Sequence, residues 1–222
     1  MHRIIYRKTI VNLASTLVTD FIKTKYAGIV KSQFIPEHIL LVGPSRSGKD
    51  SLALTLLYST NLRYNGTSSL AMAPVVKDIW NLFCNDGLSL EEFYRKRHEN
   101  RMFWFDTCNL IRDINPYTIP SVTLVDSDLL VGIRSLKELQ LAGQYAKLVL
   151  YVDAPVPVDP TLEFSFKDVL DLGVPTYRLW NDLKTGLFIR NALDILESYN
   201  LAVHFPKKPQ QLKLERHGLP IA

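Results

Sequence analysis

The feature that most constrains this chain is an apolar run followed by a glycine-bracketed turn and a helical pattern. Residues 38–42 read HILLV and are followed by Gly43, a pattern that is typical of a buried strand. Gly43 and Gly48 enclose four residues and Lys49 follows directly, giving the spacing G-x-x-x-x-G-K. Glycines let successive amides turn inward, and the start of a helix adds positive partial charge. The stretch therefore predicts a strand, an anion-binding loop and a helix in succession.

Strand-like and helix-like segments alternate along the rest of the chain. The predicted strands are 38–42, 68–74, a stretch within 121–135, 147–155 and 176–182, and the predicted helices are 47–60, 75–83, 89–116, 136–144 and 185–199. The longest helix opens with a capping box at Ser89 and Glu92. This alternation predicts an α/β fold of three layers, with a mainly parallel central sheet between helices. Ligands of such sheets bind at the carboxyl ends of the strands, where the glycine turn lies.

Length and charge suggest one domain with an N-terminal extension and a C-terminal tail. The 222 residues fit a core domain over 37–204, an N-terminal helical extension over 1–36 and a basic tail over 205–222. Residues 1–33 hold six Lys or Arg against one Asp, so the rest of the chain is about neutral although the net charge is +4. Apolar residues of the extension recur at helical spacing: Ile10, Leu13, Leu17 and Phe21.

This distribution of charge favours an amphipathic helix docked on the domain with a solvated basic face, and it makes nucleic acid an improbable ligand. Binding of a partner or a membrane surface by that helix, and a homodimer, stay as alternatives. The two cysteines, Cys84 and Cys108, indicate neither a disulfide scaffold nor a zinc site, and they fit a reducing, cytoplasmic compartment. No apolar run reaches 18 residues, so no membrane span is expected.

Asp50 stands where a Ser or Thr usually follows the lysine of such a loop, and Ser51 comes one position later. One interpretation is a carboxylate favoured by the positive end of the helix. The other is that Asp50, with Ser51, approaches a nucleotide-bound Mg²⁺ directly or through water. Arg46, inside the loop, would flank the transferring phosphate and offset the added negative charge.

Two arginines fall on the apolar stripe of the predicted helix 89–116. Arg97 and Arg101 share this face with aromatic residues, and an unpaired cation is costly to remove from water. A monophosphate in a cleft would satisfy their forked donors. The alternatives are internal pairing, for example with Asp126 or Asp128, or extension of the side chains to the surface. The aromatic run 103–105 is interpreted as core, with stacking on a base as the alternative.

Three segments together resemble a known family: GPSRSGKDS at 43–51, AMAPVVKD at 71–78 and VGIRSLKE at 131–138. They resemble the deoxynucleoside monophosphate kinases of tailed bacteriophages and, more distantly, animal-type phosphomevalonate kinases, over roughly residues 38–200. The resemblance implies the P-loop kinase fold of nucleoside monophosphate kinases. It also implies ATP-dependent transfer of a phosphoryl group to a (deoxy)nucleoside monophosphate, in the cytoplasm, which is the host's if the chain is encoded by a phage.

The resemblance also implies site residues, position by position. Those that would bind ATP are Gly43, Pro44, Ser45, Arg46, Ser47, Gly48, Lys49, Asp50 and Ser51, with Asn181 bordering the adenine. Those that would border the acceptor are Ala73, Pro74, Lys77, Asp78 and Arg134, with Glu138 following. Together with the helical stripe, this gives Lys49, Arg46, Asp50 and Arg134 as catalytic residues. Arg97 or Arg101 would help to hold the acceptor, and Asp50 and Ser51 would hold Mg²⁺.

Two positions depart from the family's pattern. The acidic residue expected two places before Arg134 is Gly132, and the segment expected to form the lid, 154–172, has no arginine and only Lys167. Lid arginines spread the charge that develops during phosphoryl transfer. A second hypothesis is therefore a nucleotide-binding protein that has lost turnover and acts through a partner. A third keeps the kinase chemistry and changes the acceptor to another small phosphorylated metabolite.

Overall fold

The computed structural model describes residues 16–31, 34–84 and 86–201 of the chain. A central sheet holds four parallel strands, β1 (His38–Val42), β2 (Leu129–Val131), β3 (Ala146–Asp153) and β4 (Thr176–Trp180), in the order β2-β1-β3-β4. Every residue of β1 is buried because strands flank it on both sides and helices cover both faces. The predicted α/β fold with a parallel sheet is confirmed at this level.

Helices precede, connect and follow the strands. They are α1 (residues 16–25), α2 (Ala27–Val30), α3 (Lys49–Ser59), α4 (Ser68–Ala71), α5 (Ala73–Asn81), α6 (Leu90–Arg95), α7 (Arg101–Ile114), α8 (Thr118–Thr123), α9 (Leu136–Gly143), α10 (Phe166–Leu170) and α11 (Leu187–Ser198). A 3₁₀ turn, Lys96–His98, follows α6. The capping box at Ser89 and Glu92 is present at the start of α6, as predicted.

The alternation of side chains along β1 divides the core into two layers. Ile39 and Leu41 pack with Leu52 of α3 and Phe188 of α11 on one face of the sheet. Leu40, on the opposite face, belongs to a second cluster that includes side chains of α9 and α10. The sheet is therefore covered by helices on both faces, in agreement with a three-layer arrangement.

A third apolar cluster lies among α1, α5, α6, α7 and α8. Val18 and Ile22 of α1 are buried in it at 4% and 1% exposure, whereas Leu17 is 70% exposed. The predicted apolar face of the N-terminal helix was thus wrong at Leu17. Ile10 and Leu13 lie outside the described residues, as do the rest of 1–15 and the predicted tail 205–222.

Three predicted elements differ in the structure. Residues 68–74, predicted as a strand, form α4 and the first turn of α5, because Thr67 Oγ1 caps α4 and Pro74 stands in the first turn of α5, where proline is tolerated. The predicted single helix 89–116 divides at the 3₁₀ turn and Asn100, whose φ of −111° interrupts the helix. Within 121–135 only Leu129–Val131 is a strand.

Candidate active site

The loop between β1 and α3, residues 43–48, is called the glycine loop here, and both of its glycines are required by close contacts. Gly43 has φ +136°, and a Cβ there would lie 2.1 Å from the carbonyl oxygen of Val152 in β3. Gly48 has φ +96°, and a Cβ there would lie 2.5 Å from Nδ2 of Asn181. These backbone angles and distances exclude side chains, so the loop is pressed against the carboxyl ends of β3 and β4.

Asn181, which the resemblance places beside the adenine, holds the glycine loop in position. Its buried amide Nδ2 donates to the carbonyl oxygen of Ser47 at 2.9 Å, and its Oδ1 accepts from the amide of Leu183 at 2.9 Å. The side chain thus spans two loops that follow β1 and β4. Each end of this amide makes one of the two hydrogen bonds of which it is capable, and both of these bonds support the loops.

The amides at the end of the glycine loop have room for an anion. Among the described residues, no protein acceptor is bonded to the amides of Gly48, Lys49 or Asp50. These groups begin α3, where the helix adds positive partial charge. The amide of Ser45, at the other side of the loop, is occupied: it donates to Oδ2 of Asp159 at 2.9 Å. One part of the predicted anion site is therefore filled by the protein's own carboxylate.

The ammonium group of Lys49 folds back over the same loop. Its Nζ donates to the carbonyl oxygen of Pro44 at 2.6 Å and lies 3.5 Å from Oγ of Ser47, and the residue is only 5% exposed. Burial, and then the positive charge of Arg134, lowers the pKa of Lys49 to about 8. A negatively charged ligand near this lysine would favour its charged form and raise this pKa.

Asp159 joins the glycine loop to two arginines, an arrangement that the sequence did not predict. Its Oδ1 accepts from Arg101 Nη2 at 2.5 Å and from Thr161 Oγ1 at 2.8 Å, and its Oδ2 accepts from Arg134 Nη1 and from the amide of Ser45. The carboxylate side chain is 1% exposed. Burial alone would raise the pKa of Asp159, but the hydrogen bonds from Thr161 and the charge of Arg134 hold that pKa well below its usual range. These five residues are called the Asp159 cluster below.

A cavity of about 690 Å³ opens beside the glycine loop and the Asp159 cluster. This volume is in the range of small-molecule sites. Among the described residues that line it, Asp50 is the single carboxylate and six side chains are cationic: Arg46, Lys49, Arg97, Arg101, Arg112 and Arg134. Its aromatic lining is Tyr58, Tyr64, Tyr94, Trp104 and Phe105. The cavity therefore combines excess positive charge with rings on which a planar group can stack.

Arg97 also lines this cavity, and it packs against an aromatic ring. Its guanidinium lies over the ring of Tyr94, 4.2 Å from the centroid, and its Nη1 donates to the backbone carbonyl oxygen of Tyr94 at 3.3 Å. Within the part of the chain that the structure describes, no carboxylate lies within ion-pair distance of Arg97. Partial burial, and then the charges of Arg97 and Arg101, lowers the pKa of neighbouring His98, which reflects the excess of positive charge there.

Other candidate residues lie away from the cavity. Neither Ala73 nor Lys77 is among the residues that line the cavity. Ala73 is buried in the core, and Nζ of Lys77 lies 3.4 Å from Oδ1 of Asn81. Pro74 stands in the first turn of α5, and Asp78 pairs with Lys25 of α1. The hypothesis that Asp126 or Asp128 pairs with Arg97 or Arg101 is wrong for Asp128, which binds Arg63 at the amino end of β2, and for Arg101, which binds Asp159.

A second buried ion pair supports the floor of the cavity. Nε of Arg112, on α7, lies 3.0 Å from Oε1 of Glu138, on α9, and the two side chains are 8% and 0% exposed. The other oxygen of Glu138 faces the amides of Arg134 and Ser135, each at 3.4 Å. Glu138 therefore connects Arg112 with the backbone that carries Arg134. Arg112 lies on the predicted helical stripe, although its position there does not reveal its partner.

Asp50 and Ser51 begin α3 with exposed side chains, and Asp50 faces the cavity beside Lys49. Mg²⁺ in nucleotide sites is usually held by one or two carboxylates, with phosphates and waters completing the shell. A single carboxylate next to an anion loop fits this requirement. No group of three His, Cys, Asp or Glu side chains suited to a metal occurs in residues 16–31, 34–84 and 86–201, so no all-protein metal cage is present there.

Comparison with protein-family models, curated proteins and solved structures finds no match for this chain. Over the described ranges, none of the helices has both the length and the apolar character needed to cross a bilayer.

Proposed function

We propose that this protein transfers the γ-phosphoryl group of ATP to a (deoxy)nucleoside monophosphate, releasing ADP and the diphosphate. The observation that carries the proposal is that two groups of possible phosphate-binding donors line one cavity. The end of the glycine loop and Lys49 form the first, and Arg97, Arg101 and Arg134 form the second. Phosphoryl transfer requires little from a protein beyond this kind of alignment and charge neutralisation.

On the donor side, the amides at the start of α3 receive phosphate oxygens, and Lys49 and Arg46 neutralise the transferring group. Asp50 and Ser51 would hold Mg²⁺ beside the phosphates. Bound there, the ion would screen the negative charge of the triphosphate. Asn181 keeps the loop in shape through its bond to Ser47.

On the acceptor side, the free guanidinium edges take the monophosphate. Arg97 stacks on Tyr94, and no described residue accepts from its Nε or Nη2; Arg101 and Arg134 are fixed by Asp159. Arginine suits this task because its fork matches two phosphate oxygens. The aromatic side chains of the lining offer surfaces for the base. No general base is needed, since the attacking oxygen of a monophosphate is already an anion.

One observation favours a second candidate, a nucleotide-binding module without turnover. The segment expected to bring arginines over the triphosphate instead brings Asp159, whose carboxylate partly neutralises Arg101 and Arg134. If those arginines were fully satisfied by Asp159, the protein would bind ATP at the glycine loop and transfer nothing. This candidate therefore differs from the first in turnover and not in ATP binding.

The test is to incubate the full chain with ATP, Mg²⁺ and each deoxynucleoside monophosphate, and to measure ADP and diphosphate formation. Lys49→Ala should reduce turnover at least about 100-fold, because it removes a buried charge beside the transferring phosphate. Lys147→Ala, at the amino end of β3 and away from the glycine loop, is the matched control and should leave turnover unchanged. ATP binding without transfer to any acceptor would support the second candidate, and activity that survives Lys49→Ala would refute the proposed site.

A further inference from the structure

We propose that Asp159 is a positioning residue, which aims Arg101 and Arg134 at the acceptor phosphate and fixes both relative to the glycine loop. This inference rests on the proposed function, since it assigns the acceptor phosphate to these two arginines. It adds a carboxylate to a phosphate site, which is unexpected because two negative groups repel each other. The geometry of the Asp159 cluster resolves this conflict.

The bonds to Asp159 use only part of each guanidinium. Arg101 bonds Asp159, Ser45 Oγ and Thr161 Oγ1 through Nη2 alone. Arg134 uses Nη1 for Asp159 and Nη2 for Ser45 Oγ at 3.2 Å. Among the described residues, no acceptor is bonded to Nε or Nη1 of Arg101. Both arginines line the cavity and Asp159 does not, so a ligand in the cavity meets the arginines rather than the carboxylate.

Asp159 is held by groups that a ligand does not replace. The amide and the hydroxyl of Thr161 donate to its Oδ1 at 3.1 and 2.8 Å, and the amide of Ser45 donates to its Oδ2 at 2.9 Å. A carboxylate with 1% exposure and this many donors gains nothing by leaving, because any other buried position would leave it unpaired. It therefore stays in place when an anion enters the cavity.

The segment that carries Asp159 crosses from the end of β3 to the end of β2. The amide of Glu163 donates to the carbonyl oxygen of Arg134 at 2.9 Å, which joins this segment to the backbone of the arginine itself. Arg101 is the first residue of α7, and Arg134 lies in the loop that follows β2. Asp159 thus binds three separate elements at once: the glycine loop, the start of α7 and the loop after β2. A long, flexible arginine needs such an anchor to keep its free edge in one orientation.

The main experiment compares Asp159→Asn with wild type in acceptor binding and in turnover. The variant keeps the shape and removes the charge that orders both guanidinium groups. The KM for the deoxynucleoside monophosphate should rise about 10- to 100-fold, whereas the Kd for MgATP should change less than about threefold. A residue with only a structural role would lower the melting temperature and affect both ligands alike.

Asp128→Asn is the matched control. Asp128 also pairs with an arginine, Arg63, but this pair lies at the amino end of β2. The control should leave the acceptor KM and the MgATP Kd unchanged. If Asp159→Asn folds poorly, Thr161→Val replaces it, since this change removes one hydroxyl from both Asp159 and Arg101 without altering charge. Thr161→Val should also raise the acceptor KM, by about three- to tenfold.

A double-mutant cycle separates action through the arginines from a general effect. In an Arg101→Met background, Asp159→Asn should raise the acceptor KM by a clearly smaller factor than in wild type, because one of the two groups that it positions is gone. Equal factors in both backgrounds would overturn the inference. An acceptor KM that stays constant or falls in Asp159→Asn would also overturn it, because Asp159 would then compete with the phosphate.

Calorimetric titration of the monophosphate into the ATP-free protein distinguishes failure of this inference from failure of the proposed function. Monophosphate binding that weakens in Asp159→Asn, with no turnover in wild type, would support the role of Asp159 and refute the kinase. Turnover in wild type with identical monophosphate binding in both proteins would refute the role of Asp159 alone. No monophosphate binding at all by wild type would overturn both.

Discussion

The protonation of Lys49 gives a prediction that needs no mutation. In the ligand-free protein, burial and the charge of Arg134 lower the pKa of Lys49 to about 8. Phosphate oxygens beside its ammonium would stabilise the charged form and raise this pKa. The complex then holds more protons at Lys49 than the free protein does. Nucleotide binding therefore takes up protons, and its affinity falls as the pH rises through the pKa of the free protein.

The magnitude follows from the titration of one group. At pH 8 about half of the Lys49 side chains are neutral in the free protein. Binding of one nucleotide should therefore take up about 0.5 proton from the buffer at pH 8, and about 0.9 proton at pH 9. The apparent Kd should be about twofold weaker at pH 8, and about tenfold weaker at pH 9, than its limit at low pH, provided that the bound lysine stays charged. Below pH 7 the uptake at Lys49 should be close to zero.

Calorimetric titration with MgATP in two buffers of different ionisation enthalpy measures the proton uptake directly. Lys49→Arg is the matched control, because a guanidinium keeps its charge over this range and should show a constant affinity and no uptake. The reasoning would be refuted by equal affinities at pH 7 and pH 9 in wild type. It would also be refuted by the same uptake in Lys49→Arg, which would assign the titration to another group.

The structure also predicts effects on stability, each measurable by denaturant unfolding. Gly43→Ala should cost about 3 kcal/mol or more, because its Cβ would lie 2.1 Å from the backbone oxygen of Val152 at a φ of +136°. Gly186→Ala, at φ +66° with open space around the Cβ, should cost only about 1 kcal/mol, and equal losses would show that the contact is irrelevant. Arg112→Met should cost about 3 to 5 kcal/mol, because the buried charge of Glu138 would lose its cationic partner. Adding Glu138→Gln should recover part of that loss, and additive losses would contradict a direct pair.

The sequence by itself determined the elements whose signals are local. The strand, glycine loop and helix over residues 38–59 are encoded by a continuous apolar run, two glycines at fixed spacing and helical periodicity. The capping box at Ser89 is equally local, since both of its partners lie within four residues. The parallel sheet followed from the alternation of such segments. Each of these features depends on neighbours that the chain itself supplies.

Local signals failed where tertiary contacts decided the outcome. Residues 68–74 contain apolar residues and a proline that suit a strand, yet they are helical, because burial of Met72 and Ala73 in the cluster around α5 adds to the local cap at Thr67. The stripe calculated for one long helix placed Arg97 and Arg101 together, whereas the break at Asn100 separates them into a 3₁₀ turn and the start of α7. Both arginines still reach the cavity, although by a different geometry.

Asp159 is the residue that only the tertiary structure identified. Its partners Ser45, Arg101 and Arg134 are 114, 58 and 25 residues away along the chain, and nothing around position 159 signals that they will meet. An aspartate in a proline-rich connection is usually solvated. Here the fold brings a loop amide and two guanidinium groups to one point, and their combined charge makes it favourable to bury a carboxylate there. Local sequence defines which groups can bind an anion, whereas three-dimensional packing selects the carboxylate that holds them in place.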